Sequence, residues 1–247
     1  MRTSGNTILI TGGATGIGFA LAERLDKMGN TVIICGRRQN KLDEAKRKVP
    51  GLHPIRCDIS NRFERVHLFK RISLSYRSLN ILINNAGIQR AISFRNGDRE
   101  LDNAEDEIET NLKAQIHLSA LFIPLLAGQS ESAMINVSSG LGFVPLARFP
   151  VYCATKAAIH SFTMSLRHQL KGTSIKVFEL IPPIVHDTEL KGKPIEKADW
   201  TLSSAEVAEA AVRGLENDQY EIPVGPTKRW LASSKADLDR AFLEINQ

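Results

Sequence analysis

The run Thr7-Ile8-Leu9-Ile10-Thr11-Gly12-Gly13-Ala14-Thr15-Gly16-Ile17-Gly18 decides the architecture of this chain. Its first five residues, apolar in the middle and bounded by threonines, read as a short buried strand. The glycines that follow permit a tight turn and a close approach of backbone to a ligand. Apolar residues at helical spacing over 17–28 then open a helix directly after the turn. Strand, glycine-rich turn and helix in that order bring free N–H groups and the positive end of the helix to one point, which suits a pyrophosphate. No Gly-Lys-Ser/Thr closes the turn, so it is not a P-loop. The turn predicts a dinucleotide cradle built from Gly12, Ala14, Thr15, Gly16, Ile17 and Gly18. The competing reading, a plain strand-to-helix connector, would need none of these glycines.

Outward from the cradle, short apolar runs alternate with helix-length segments. Strands are expected over 31–35, over a third run that ends at 55–57, and over 81–83, 134–137 and 175–181. Helices are expected over 41–48 and 63–76, with two longer ones near 101–126 and 151–170. Strands that are β-branched on both faces and separated by helices predict a parallel sheet covered on both sides. Right-handed crossovers make it an α/β, Rossmann-type doubly wound parallel sheet of about seven strands, a single domain over 1–247. There is no repeat, low-complexity tract or Gly/Ser linker. The polar stretch 185–203, punctuated by Gly192 and Pro194, lacks a period and reads as a substrate loop.

Composition bounds the function. The chain has 247 residues, of which 43% are hydrophobic and 24% charged, values ordinary for a soluble globular protein with a sizeable core. Its 32 basic and 27 acidic residues leave a net charge of +5, which permits an anionic ligand but is too mild to predict nucleic-acid binding. Cys35, Cys57 and Cys153 form neither a disulfide framework nor a C-x-x-C pair, so a reducing, cytoplasmic location is expected. The uncharged run 3–22 lacks the continuous apolar core of a signal peptide. The run 115–130 is too short to span a bilayer and contains Pro124, so no membrane partner is expected. The six histidines show no metal spacing, and no metal site is expected.

Two features specify the chemistry. The second strand ends in Gly36-Arg37-Arg38, with no acid before Asp43, at the point where an NAD site carries Asp or Glu for the ribose 2′-hydroxyl. A guanidinium there suits a 2′-phosphate, so Arg37 predicts NADP(H) as the preferred cofactor, with NAD(H) the alternative. Tyr152 and Lys156 stand i and i+4 on one helix face. A nearby ammonium is expected to lower the phenol's pKa towards working pH, making it an acid for carbonyl reduction or a base for alcohol oxidation. A solvated surface pair has the same spacing. Ser139, however, lies thirteen residues upstream at the carboxyl end of a strand, with Asn111 in an earlier helix. No Gly-x-Ser-x-Gly surrounds Ser138 or Ser139, which disfavours a serine hydrolase. Cys153 reads as a small packing residue. Arg90, Arg95 and Arg99 read as a solvated basic loop, and Trp200 and Trp230 as apolar surface for a lid or a subunit contact.

Thr-Gly-x-x-x-Gly-Ile-Gly at 11–18, Asn84-Asn85-Ala86-Gly87, Asn111, Ser139 and Tyr152-x-x-x-Lys156 together resemble the single-domain short-chain dehydrogenase/reductase superfamily, over almost the whole chain. Ile88-Gln89-Arg90, Asn136-Val-Ser-Ser-Gly140 and Ile181-Pro-Pro183 resemble the branch named for a teichoic-acid D-alanylation operon oxidoreductase. The resemblance implies a nicotinamide-dependent oxidoreductase acting on a small-molecule carbonyl or secondary alcohol. In it Tyr152 is the acid/base, Lys156 bonds the nicotinamide ribose and tunes Tyr152, and Ser139 holds the substrate oxygen. Asn111 anchors a water that extends a proton relay. Asp58 meets the adenine, and Asn85, Ala86, Gly87, Pro182 and Val185 line the cofactor. The pattern departs at Pro183, which replaces a glycine, and at Asp187, which occupies the place of a phosphate-binding threonine while Thr188 falls one residue later. The resemblance also implies a homodimer or homotetramer paired through the 101–126 and 152–170 helices. The rival reading is a cofactor-binding sensor or scaffold without turnover, against which stands the retention of all four catalytic positions. Epimerase or dehydratase chemistry on nucleotide sugars usually needs a longer C-terminal substrate domain.

Overall fold

The computed structural model describes residues 1–188, 190, 198 and 201–246. Alternation along its first strand, β1 (Thr7–Thr11), sends Ile8 and Ile10 into one apolar cluster and Leu9 into another, so the sheet has two buried faces from its centre outward. In chain order the remaining elements begin with α1 (Gly16–Lys27), β2 (Thr31–Gly36), α2 (Gln39–Lys48), β3 (His53–Arg56), α3 (Arg62–Ser75) and β4 (Leu79–Asn84). They continue with α4 (Leu101–Ile108), α5 (Ala114–Ala127), β5 (Ser132–Val137), α6 (Pro150–Gln169) and β6 (Ile175–Ile181). The chain closes with α7 (Ser204–Glu216), β7 (Glu221–Pro223), α8 (Thr227–Ala236) and α9 (Leu238–Ile245).

Seven strands pair in the order β3-β2-β1-β4-β5-β6-β7, every pair parallel. Leu21 and Leu25 of α1, Leu42 of α2 and Val207, Ala211 and Leu215 of α7 cover one face. Leu68 and Ile72 of α3, Leu118, Phe122 and Leu126 of α5 and Leu166 of α6 cover the other. This is the doubly wound α/β sheet the sequence predicts. The strand order reverses between β1 and β4, and in such sheets the carboxyl ends of the strands at the reversal leave a crevice for ligand.

The single helix expected over 101–126 is instead two helices joined by one wide π-type turn, Glu109–Lys113. The cause is side-chain bonding. Asn111 exchanges hydrogen bonds with both backbone groups of Ile88, at 2.8 Å each, and Glu109 takes a pair of bonds from the buried Arg65 guanidinium. After the 185–203 stretch, α7 starts on a capping box in which Ser203 and Glu206 satisfy each other's backbone donors. Among the described residues no helix is long and apolar enough to cross a membrane, and no group of His, Cys, Asp and Glu has the arrangement of a metal site.

Candidate active site

The turn after β1 is shaped by what its glycines exclude. Gly12 and Gly16 have φ of +65° and +54°, the left-handed region. A Cβ on Gly18 would come within 2.3 Å of the Gly12 carbonyl oxygen, so the first turn of α1 closes against the strand end only without a side chain. That first turn carries no acidic residue, leaving the positive helix end uncompensated toward the crevice. The Asn84–Gly87 run is fastened beside it. Asn85 and Ala86 both donate backbone N–H to Thr11 Oγ1 at 3.0 Å, and Asn85 Nδ2 donates to Thr11 O at 2.9 Å.

One cavity of about 340 Å³ runs from this cradle along the carboxyl ends of the strands. It is lined by all six cradle residues of the sequence reading, by Arg37, Asp58, Asn85, Ala86 and Gly87, and by Ser139, Tyr152, Lys156, Pro182 and Val185. Arg37 and Arg38 are exposed at the end of β2, with Lys41 beside them on α2. Asp58 uses Oδ1 to accept from the Ser60 N–H and hydroxyl, at 3.0 and 2.8 Å, and so holds the turn after β3. Asn111 lies just behind the cavity wall. Its amide bonds Ile88 and also donates to Thr155 Oγ1 at 3.3 Å, and a Cβ on Gly87 would sit 3.3 Å from Asn111 Oδ1 and 3.7 Å from Lys156 Nζ.

Tyr152 and Lys156 are both buried, on the first two turns of α6. The Lys156 ammonium donates to Val137 O at 2.8 Å and lies 5.6 Å from the centre of the Tyr152 ring. Burial pulls its pKa down to about 8, against the opposing charge of Glu179. Tyr152 is shifted upward, contrary to the downward shift expected from the sequence. Burial of the phenol dominates, the Ser139 hydroxyl counteracts it, and the charges of Cys153 and Glu107 add to the rise. The phenol therefore keeps its proton at neutral pH.

The departure seen in the sequence lies in the segment after β6. Pro182 O accepts from Gly140 N–H at 3.0 Å, and Val185 forms a parallel bridge to Leu202. Asp187 turns away from the cavity and accepts from Ser204 N–H and hydroxyl, at 2.8 and 2.7 Å, at the start of α7. Thr188 swings back over the cradle, so that a Cβ on Gly16 would lie 3.1 Å from its methyl group. Of the expected substrate loop 185–203, residues 189, 191–197, 199 and 200 lie outside the described residues, and Trp200 with them. Trp230 packs its indole against Gly140, where a Cβ would be 2.6 Å away. Asn246, just past α9, donates to Pro145 O at 2.9 Å and accepts from Ala147 N–H at 2.5 Å.

Some groups near the site escape the sequence reading. Glu107 is fully buried; one oxygen accepts the Arg90 N–H, the other has no partner among the described residues, and burial lifts its pKa to about 7. Glu179 is likewise fully buried, on β6, between β5 and the edge strand β7. Arg90 pairs with Asp106 at 2.9 Å.

These features match known proteins. The family model described as short chain dehydrogenase matches residues 6–199. The oxidoreductase DltE of Bacillus subtilis is 47% identical over an alignment covering 100% of this chain and 98% of that protein. A short chain dehydrogenase of Burkholderia cenocepacia, solved in complex with NADP, superposes with a TM-score of 0.86 at 24% identity, covering all of both chains. A short chain dehydrogenase/reductase of Burkholderia phymatum, solved with NAD, superposes with a TM-score of 0.83 at 20% identity, covering 100% and 97%. With a glycine cradle at the sheet reversal and the Ser139, Tyr152 and Lys156 group in the same cavity, the chain belongs to the short-chain dehydrogenase family.

Proposed function

We propose that the protein is an NADPH-preferring reductase of small carbonyl compounds, and of secondary alcohols in the reverse direction, with Tyr152 as its acid. The observation that carries this reading is the meeting of the Ser139, Tyr152 and Lys156 side chains with the glycine cradle along one continuous cavity. The cradle suits a dinucleotide on its own geometry, because Gly12 packs directly against Ala86, where a Cβ would come within 2.9 Å of Ala86 Cα, and the acid-free first turn of α1 opens onto the same cavity. Relatives in this fold are solved with NADP and with NAD; the cations Arg37, Arg38 and Lys41 at the end of β2 favour the phosphorylated cofactor.

When bound, the nicotinamide supplies or accepts hydride. The chain supplies position and a proton. The Ser139 hydroxyl orients the substrate oxygen towards Tyr152, whose raised pKa keeps it protonated and ready to donate as the oxygen gains charge. Lys156, held at the Val137 carbonyl, places a positive charge beneath the phenolate that forms. Substrate choice falls to residues 88–99, 141–149 and the 185–203 segment. The unpaired thiols Cys35, Cys57 and Cys153 suit a reducing cytoplasm.

The test follows NADPH consumption across a panel of ketones, aldehydes and quinones, with Tyr152→Phe alongside. Turnover that disappears in the variant supports the reading. Turnover that survives removes Tyr152 as the acid, and NADPH binding without turnover on any member of the panel favours a sensor.

A further inference from the structure

The run Ile175-Lys-Val-Phe-Glu-Leu-Ile181 forms β6, and Glu179 is fully buried in it. A buried carboxylate is tolerated only with partners, and here both oxygens have one. Ser138 Oγ donates to Oε1 at 2.6 Å, and His160 Nδ1 lies 2.8 Å from Oε2. Each partner stands next to the Lys156 anchorage. Ser138 follows Val137, whose carbonyl takes the ammonium, and His160 lies one helical turn beyond Lys156 on α6. Ser138, Glu179, His160 and Lys156 thus form one group bridging β5, β6 and α6 alongside the catalytic side chains, buried except at the partly exposed His160.

We infer that Glu179 is the buried counter-charge of Lys156, a positioning residue that holds the ammonium in its working form, and that His160 sets how much of this charge Lys156 feels. The inference deepens the reductase reading and rests on it only for the use made of Lys156. Ser138, just past β5, and His160 on α6 bond Glu179, Lys156 stands one turn before His160, and the strand neighbour on β7 is Glu221. His160 in turn faces Glu221 of β7, which favours its proton, and Arg167 of α6, which opposes it. Tyr152 faces Lys156 from one turn earlier. Burial strips charge from Lys156 and Glu179 restores it; the same carboxylate raises the proton affinity of His160. A protonated His160 neutralises Glu179 and withdraws its support, whereas a neutral imidazole returns it. The ammonium is thereby braced as pH rises, when it would otherwise be lost.

The test titrates Lys156 directly by the ¹³Cε shift of its side chain in the full chain, assigned by its loss in Lys156→Met. This needs neither substrate nor turnover, so a failed reductase assay leaves the result intact. In Glu179→Gln the Lys156 midpoint falls by about one unit, while in His160→Gln it stays at or above the parent value, because the carboxylate keeps its charge without a competing cation. An unchanged midpoint in Glu179→Gln, or an equal fall in both variants, overturns the inference. Should Glu179→Gln not fold, the coupling is read from the other side. Removing the ammonium in Lys156→Met makes the His160 ring titrate at higher pH than in the parent, and an unchanged His160 titration overturns the inference.

Discussion

Thr188 packs against Gly16, whose Cβ position would lie 3.1 Å from the threonine methyl group, while its neighbour Asp187 faces away and holds the start of α7. Of these two adjacent residues, one faces the cradle and the other holds α7. Thr188→Val is expected to weaken NADPH binding about tenfold, the loss of one hydrogen bond to a charged group, with thermal stability unchanged. Asp187→Ala is expected to cost about 1 kcal/mol of stability and to leave affinity nearly as it was. Calorimetric titration and urea unfolding of both variants check the division; reversed effects would return the phosphate contact to Asp187.

Arg37 sits exposed at the end of β2, the place where an NAD site would carry a ribose-binding carboxylate. Arg37→Ala is expected to lower the ratio of kcat/KM for NADPH over NADH by about ten- to a hundredfold, the range of a charge-assisted hydrogen bond. Steady-state kinetics with both cofactors decide it, and an unchanged ratio excludes Arg37 as the discriminating residue.

Lys156 has its ordinary pKa of 10.5 lowered to about 8 in the folded chain. Between these values the unfolded chain binds more protons than the folded one, so this residue makes stability rise with pH across that window. Lys156→Met is expected to abolish that rise and to increase the thermal midpoint at pH 7, while removing turnover. Reductive turnover in the parent is expected to decline as pH passes about 8 and the ammonium is lost. Thermal scans from pH 7 to 10 and a pH–rate profile measure both.

Glu107 presents the opposite sign. Its pKa is lifted from 4.5 to about 7, so the folded chain holds the extra proton between those values and stability falls as pH rises through them. Glu107→Gln keeps an acceptor for the Arg90 N–H and carries no charge. It is expected to be more stable than the parent at pH 8 by about 1–2 kcal/mol and nearly equal at pH 5. Urea midpoints at the two pH values give the comparison, and equal differences at both would mean that Glu107 does not titrate in this range.

Leu101, Ile108, Ile116 and Met164 leave apolar side chains exposed on α4, α5 and α6, the helices through which the family resemblance implies subunit pairing. A dimer or tetramer is expected by light scattering at micromolar concentration, and a monomer would leave that surface unexplained.

The sheet was legible because its information is local. Ile8, Leu9 and Ile10 form an unbroken apolar run, which only a strand covered on both faces can bury, and glycines at 12, 16 and 18 have few other uses directly before a helix. Tyr152, Lys156 and Ser139 were legible by spacing. Other features depend on partners distant in sequence. The Asn111 turn is set by Ile88, twenty-three residues away. The roles of Asp187 and Thr188 depend on how the chain returns to Leu202 and Ser204. The upward shift of Tyr152 comes from burial, which a sequence motif does not express, and the expected helix pair predicted the wrong direction. Glu179 did leave a mark, as a lone acid within an apolar strand run, but only the structure brings His160 and Ser138 to it.

The wide turn at Glu109–Lys113 has a consequence for sequence phase. One extra residue in a turn rotates everything downstream by about 100°, so the apolar stripe of α5 is offset from that of α4. One stretch of chain can then dock its first half on α6, beside Tyr152, and its second half on the sheet and α3. Removing a single residue here would bring the stripes into register, forcing one of the two dockings to fail and carrying Asn111 off Ile88.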